Sequence, residues 1–280
     1  MSNKPTYNYN VEDTNERIET LVSEGLKSVN TIEAYRTILS LVDLTTLEGS
    51  DNEAKIQSLC KQAESFKDQG DKVPNVAAVC VYPPFVRQAK ALLKGKSINV
   101  ASVAGAFPSG QSPIEIKVAE IEYAVSEGAD EIDMVISRGK FLSGDYKTVG
   151  EEISKIKKAC GETHLKVILE TGELETLNNI RLASDIAIAS GGDFIKTSTG
   201  KIKPAATEQA FIIMLDAIKS EFDKSGKMIG IKPAGGIAEP EDALRYYLLV
   251  KSILGEKWLN AELFRFGASR LATKILNKII

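Results

Sequence analysis

A (β/α)8 barrel with an N-terminal helical extension, an α/β fold built on one parallel sheet, is the architecture this sequence predicts. Three observations carry the prediction. Eight apolar runs of strand length alternate with eight stretches of helical periodicity. The runs are continuously apolar, as expected of strands covered on both faces. The chain has 280 residues, 43% of them hydrophobic, which suits one barrel of about 250 residues better than two small domains. An open doubly wound sheet is the alternative, disfavoured because no G-x-G-x-x-G follows the first run.

Residues 1–10 are polar and read as disordered. Residues 11–40 are charged and helix-prone, with Ile18, Leu21, Val22, Leu26 and Val29 in helical spacing. The extension is assigned to 1–37 and the barrel to 38–280. Strands are expected at 40–44, 76–81, 98–103, 131–136, 165–170, 193–197, 228–232 and 263–266. The helices that follow them are expected at 51–67, 83–94, 112–127, 146–160, 174–190, 206–222, 239–254 and 268–279. Pro84 and Pro113 suit first turns, Thr207 with Glu208 suits an N-terminus, and Gly128 and Gly191 suit C-terminal caps.

Barrel enzymes place their active sites at the C-terminal ends of the strands, and the unusual residues fall there. Lys166 lies in the fifth run, Lys196 ends the sixth and Lys232 ends the seventh. Burying an unpaired ammonium is expensive, so three lysines in one layer imply a purpose. Like-charge repulsion among them lowers their pKa values, a route to a nucleophilic amine at neutral pH. Asp133 lies in the fourth run, Asp43 and Thr45 at the first, and Thr199 beyond the sixth. Glycine-bearing loops follow the last three runs: Ser198-Thr-Gly-Lys201, Pro233-Ala-Gly-Gly236 and Phe266-Gly-Ala-Ser269. Their backbone amides, with Lys201 as a point charge, suit a phosphate. A phosphorylated small molecule is the expected substrate class.

A net charge of −3 argues against a general binder of nucleic acid or membrane surfaces. No apolar run approaches the roughly 20 residues of a spanning helix, and the polar start offers no secretory leader. Cys60, Cys80 and Cys160 form no C-x-x-C pair, which suits a reducing cytoplasm. Cys80 reads as a small buried hydrophobe, and His164, the only histidine, as a surface or packing residue. One histidine does not make a His-rich metal site. The extension suits a solvated helix, a cover for the barrel bottom or a homodimer interface.

Six segments in order resemble the deoxyribose-phosphate aldolase family, over about residues 38–275. They are Leu41-Val-Asp-Leu-Thr-Thr-Leu47, Ala77-Ala-Val-Cys-Val-Tyr-Pro83, Gly128-Ala-Asp-Glu-Ile-Asp133, Leu165-Lys-Val-Ile-Leu-Glu-Thr-Gly-Glu-Leu174, Asp193-Phe-Ile-Lys-Thr-Ser-Thr-Gly-Lys201 and Lys232-Pro-Ala-Gly-Gly236. Phe107-Pro-Ser-Gly110 and Cys160-Gly-Glu-Thr-His-Leu165 are similar to its longer, eukaryotic-like branch. The resemblance implies cofactor-free, metal-independent cleavage of 2-deoxy-D-ribose 5-phosphate to D-glyceraldehyde 3-phosphate and acetaldehyde. It implies Lys196 as the Schiff-base lysine, Lys232 as the neighbour that depresses its pKa, and Asp133 as the acid/base partner. It puts Thr199, Gly200, Lys201, Gly235, Gly236, Gly267 and Ser269 at substrate and phosphate positions. Lys166, Asp43 and Thr45 take supporting or hydroxyl-binding positions.

The chain departs from the family pattern in three places. Ala238 stands where many members have arginine, and Arg270 where many have a small hydroxyl residue. Arg270 is expected to supply the missing positive charge. The chain ends at Ile280 without the terminal tyrosine of some bacterial members, so tail-assisted proton transfer is not expected. Two other functions fit parts of the pattern. A transaldolase-like transferase would share the lysine, and a non-catalytic phosphosugar-binding barrel would not need an activated amine.

Overall fold

The computed structural model describes residues 7–280. Eight parallel strands form one sheet: β1 (Val42–Thr45), β2 (Ala78–Val81), β3 (Asn99–Ala104), β4 (Glu131–Val135), β5 (His164–Ile168), β6 (Phe194–Lys196), β7 (Gly230–Lys232) and β8 (Phe266–Ala268). The order runs β7-β6-β5-β4-β3-β2-β1-β8. Two isolated parallel bridges, Ile231 to Phe264 and Ala234 to Gly267, join the ends and close the barrel. The strands are buried throughout most of their length, as their unbroken apolar pattern requires.

The helices are α1 (Val11–Leu26), α2 (Thr31–Ser40), α3 (Glu53–Ser65), α4 (Val86–Leu92), α5 (Ile114–Ser126), α6 (Arg138–Leu142), α7 (Tyr146–Cys160), α8 (Leu177–Ala189), α9 (Glu208–Ser225), α10 (Pro240–Ile253) and α11 (Leu271–Ile279). Side chains of Asn10, Asn30, Asn52, Asp145, Thr176 and Thr207 cap α1, α2, α3, α7, α8 and α9. The main apolar core lies between sheet and helices. A small second cluster, Leu47, Cys80, Ala101 and Val103, fills part of the barrel interior. Cys80 is thus a buried interior residue, its thiol pushed up to about 11 by burial.

Several expectations shift. Residues 11–40 form two helices, because Asn30 accepts from the Glu33 amide and starts a second one. α2 then ends at Ser40 and delays the first strand to Val42. The stretch 83–94 splits into a 3-10 turn at Pro83–Phe85 and the short α4; neither Pro83 nor Pro84 has an N–H to donate. A five-residue α6 was not expected. The eighth strand lies later than 263–266, since pairing with β1 begins at Phe266 while Phe264 bridges to β7.

The extension is not free in solvent. α1 buries Thr14, Ile18 and Val22, packing on α9 and α10, while α2 packs on α10 and α11. Ahead of α1, Tyr7 donates to Asp185 and Arg181 donates to the Tyr9 hydroxyl at 2.8 Å. Residues 7–10 are therefore docked on α8 rather than disordered; residues 1–6 lie outside the described residues.

Candidate active site

Parallel register brings the lysines together. Asp133 pairs across from Lys166, and Lys196 from Lys232. Asp133 is the hub. Its Oδ2 accepts from Lys196 Nζ and from Lys232 Nζ, each at 2.7 Å, and its Oδ1 accepts from Lys166 Nζ at 3.1 Å. Lys166 also donates to Glu131. Lys232 Nζ lies 2.5 Å from Asp43 Oδ2, a close ion pair without hydrogen-bond alignment, so that oxygen accepts no hydrogen bond.

Two members of this cluster had no role in the sequence reading. Arg265 donates to Asp43 Oδ1 at 2.7 Å and to Glu131 Oε1 at 2.6 Å. Glu131 also accepts from Asn99 at 2.8 Å. Both are 1% exposed. The signal was available: Arg265 interrupts the apolar run Leu263-Phe-Arg-Phe266 and Glu131 opens another, as the lysines do.

The electrostatics divide the three lysines. Lys196 has its pKa lowered, first by burial and then by Lys232, against the pull of Asp133. Burial also lowers Lys166, but Asp133 and Glu131 outweigh it and the net shift is upward. Lys232 is likewise raised, because Asp133 and Asp43 overcome its burial. The expected mutual lowering of all three therefore does not occur, since the carboxylates compensate two of them. Asp133 is held well below the carboxylate range: burial opposes ionisation, but Lys166, Lys196 and Lys232 together prevail.

Above the cluster lies a cavity of about 430 Å³ at the C-terminal ends of β1, β6, β7 and β8. Lys196 lines it, with Thr45, Thr199, Gly200, Lys201, Gly235, Gly236, Gly267 and Ser269. Asp43, Asp133, Lys166 and Lys232 lie beneath it, each 0% exposed. Ala238 and Arg270 both line the cavity, as does Lys203. Lys201 reaches Glu48 across the mouth at 2.9 Å.

Glycine is required where the loops converge. A Cβ on Gly235, at φ +79°, would lie 2.8 Å from Ala205 Cβ and 2.9 Å from Gly200 Cα. One on Gly267 would lie 2.8 Å from Ala234 Cβ and 3.2 Å from Lys232 Cε. Thr197 Oγ1 accepts from the Ala234 amide at 3.0 Å and ties the two loops together. Glu170, which stands out with Lys166 as an unusual residue of the fifth run, had no role in the sequence reading. It is fully buried at φ +56°, a conformation costing about 1–3 kcal/mol, and it accepts from both the amide and the hydroxyl of Thr199. His164 is half-buried at the opposite end of β5.

Among the described residues no helix is long and apolar enough to cross a membrane. The DeoC/LacD family aldolase pattern matches residues 37–249. Deoxyribose-phosphate aldolase of Homo sapiens is 45% identical over 276 residues, covering 91% of this chain and 87% of that protein. The enzyme of the same name from Agrobacterium fabrum is 46% identical, covering 88% and 91%. The solved tetrameric deoxyribose phosphate aldolase of Aeropyrum pernix superposes with TM-score 0.71 at 25% identity, covering 93% and 97%. Triosephosphate isomerase from Bartonella henselae, at TM-score 0.51, 12% identity and coverage of 83% and 95%, shares the barrel fold alone. With a family match over most of the barrel and relatives near 45% identity along almost their whole length, the chain belongs to the DeoC/LacD family of aldolases.

Proposed function

We propose that this aldolase reversibly cleaves 2-deoxy-D-ribose 5-phosphate to D-glyceraldehyde 3-phosphate and acetaldehyde through a Schiff base on Lys196. The substrate class is the one in the names of the human and Agrobacterium relatives. The observation that carries the reading is Lys196 itself. Of the three interior lysines it alone lines the cavity, and it alone has a lowered pKa.

The neutral amine adds to the C1 aldehyde of the open-chain sugar, and loss of water leaves a protonated imine. A base takes the C3 hydroxyl proton, the C2–C3 bond breaks, and its electron pair moves into the iminium to give an enamine. Protonation at C2 and hydrolysis then release acetaldehyde and restore the amine. Asp133, with Lys232 2.7 Å away, is the acid/base group for both proton transfers, directly or through one water. Thr45 and Thr199 meet the sugar. Gly200, Lys201, Gly235, Gly236, Gly267, Ser269 and the N-terminus of α11 meet the phosphate. Arg270 supplies the charge absent at Ala238. Lys166 and Asp43 act from beneath by holding Asp133 and Lys232.

Borohydride reduction in the presence of acetaldehyde, followed by peptide mass mapping, tests the reading. An ethyl adduct on Lys196 is expected; an adduct elsewhere, or none, overturns it. Activity is expected to survive EDTA, and loss restored by zinc would refute the metal-independent route. A cytoplasmic location, a homodimer and a division after residue 37 complete the proposal. Three free buried cysteines support the first, and the family match starting at residue 37 supports the last. Light scattering tests the dimer against the tetramer of the Aeropyrum pernix relative.

A further inference from the structure

The charges beneath the cavity do not balance. Four basic side chains, Lys166, Lys196, Lys232 and Arg265, meet three carboxylates, Asp43, Glu131 and Asp133. With every basic group protonated the cluster carries a net positive charge; with one amine neutral it carries none. An uncompensated buried charge is costly, so the composition of the cluster itself favours one neutral amine.

Arg265 and Glu131 do not line the cavity, yet each is one link from the groups that touch Lys196. Arg265 binds Asp43, which pairs with Lys232, and Glu131 binds Lys166, which donates to Asp133. Lys196 is faced by Asp133 from β4, Lys232 from β7 and Cys80 from β2. Asp43 on β1 and Lys166 on β5 stand one contact further.

We propose that Arg265 and Glu131 are positioning residues that set the protonation state of Lys196 by fixing the charge count beneath it. The proposal rests on Lys196 being the Schiff-base lysine. Its consequence is a pair of opposed effects. Without Arg265, a protonated Lys196 brings the cluster to neutrality, so the amine holds its proton to higher pH. Without the charge of Glu131, the cluster is already positive with Lys196 neutral, so the amine loses its proton at lower pH. With both charges gone, balance again requires a neutral Lys196.

The experiment follows kcat/KM, and the rate of cyanoborohydride trapping with acetaldehyde, across pH in the intact protein. In Arg265→Met the midpoint of the acid limb is expected to rise by about one pH unit, and in Glu131→Gln to fall by about as much. The double variant is expected to return to the wild-type midpoint, and Arg265→Lys to stay there. A merely structural role lowers amplitudes without opposed shifts and leaves the double variant worst; that pattern overturns the proposal. Should Arg265→Met not fold, Glu131→Gln and the double variant still carry the comparison. Mapping the wild-type adduct separates the two readings. An adduct on Lys196 with no shifts sinks this inference alone, whereas an adduct elsewhere sinks the assignment of the nucleophile.

Discussion

Replacing Asp133 by Asn removes one negative charge while keeping the shape of the side chain. Asp133 is 0% exposed and accepts from three lysine Nζ atoms, at 2.7, 2.7 and 3.1 Å. Removing one partner of a buried ion pair costs about 3–5 kcal/mol. The amide keeps one acceptor oxygen, which favours the lower end of that range. For a chain of this size 1 kcal/mol corresponds to roughly 2 °C in Tm, so a loss of about 6 °C is expected. Trp258, the only tryptophan, reports it: it is 1% exposed and its Nε1 donates to the Ile229 carbonyl at 2.9 Å. Turnover should fall about 10²- to 10⁴-fold if Asp133 is the acid/base group proposed above. The pH dependence separates this from simple damage. Asp133 raises the pKa of Lys196, so its removal moves the acid limb of imine trapping to lower pH. Turnover within tenfold of wild type, or an acid limb displaced upward, would refute the reasoning.

Arg270→Ala is expected to raise KM for the phosphorylated substrate about tenfold, with kcat retained; an unchanged KM would remove Arg270 from the phosphate site. Gly230→Ala puts a Cβ 2.4 Å from Phe194 Cε1, on a ring that is 1% exposed, and a loss of about 3 kcal/mol in urea unfolding is expected. Acidification should destabilise the protein. Asp133 and Glu131 have folded-state pKa values below their ordinary 3.8 and 4.5, so the unfolded chain binds more protons in acid. Their contribution is complete above about pH 4.5 and declines as pH falls through and below that point, which the urea midpoint followed by Trp258 emission would register.

The barrel is legible in the sequence because each strand is buried on both faces and each longer helix carries an apolar stripe. Local patterns fail where the structure is set by something non-local. α6 has five residues, too few to show a period. The eighth strand is displaced because 263–266 is apolar for its contact with β7, whereas the start of pairing with β1 at Phe266 leaves no local mark. The lysines and Asp133 are legible as charges in apolar strands, and Arg265 and Glu131 carry the same mark. What the chain order hides is that residues 131 and 265, far apart in sequence, meet inside the barrel, because closure rather than spacing decides who pairs with whom. The sign of each pKa shift is hidden for the same reason.

Burial does not single out the proposed nucleophile, since all three lysines are nearly or fully buried. The number of partners does. Lys166 has two carboxylates, Glu131 and Asp133, and Lys232 has two, Asp43 and Asp133. Lys196 has one, and the oxygen it contacts is the same Oδ2 that Lys232 occupies. When neutrality requires one amine to give up its proton, Lys196 forfeits the least Coulomb energy by doing so. It is also the one that opens onto the cavity. Its place opposite Lys232 on neighbouring strands thus supplies both properties at once: a weaker hold on its proton than Lys166 and Lys232 have, and a position on the cavity that the proposed attack on an aldehyde requires.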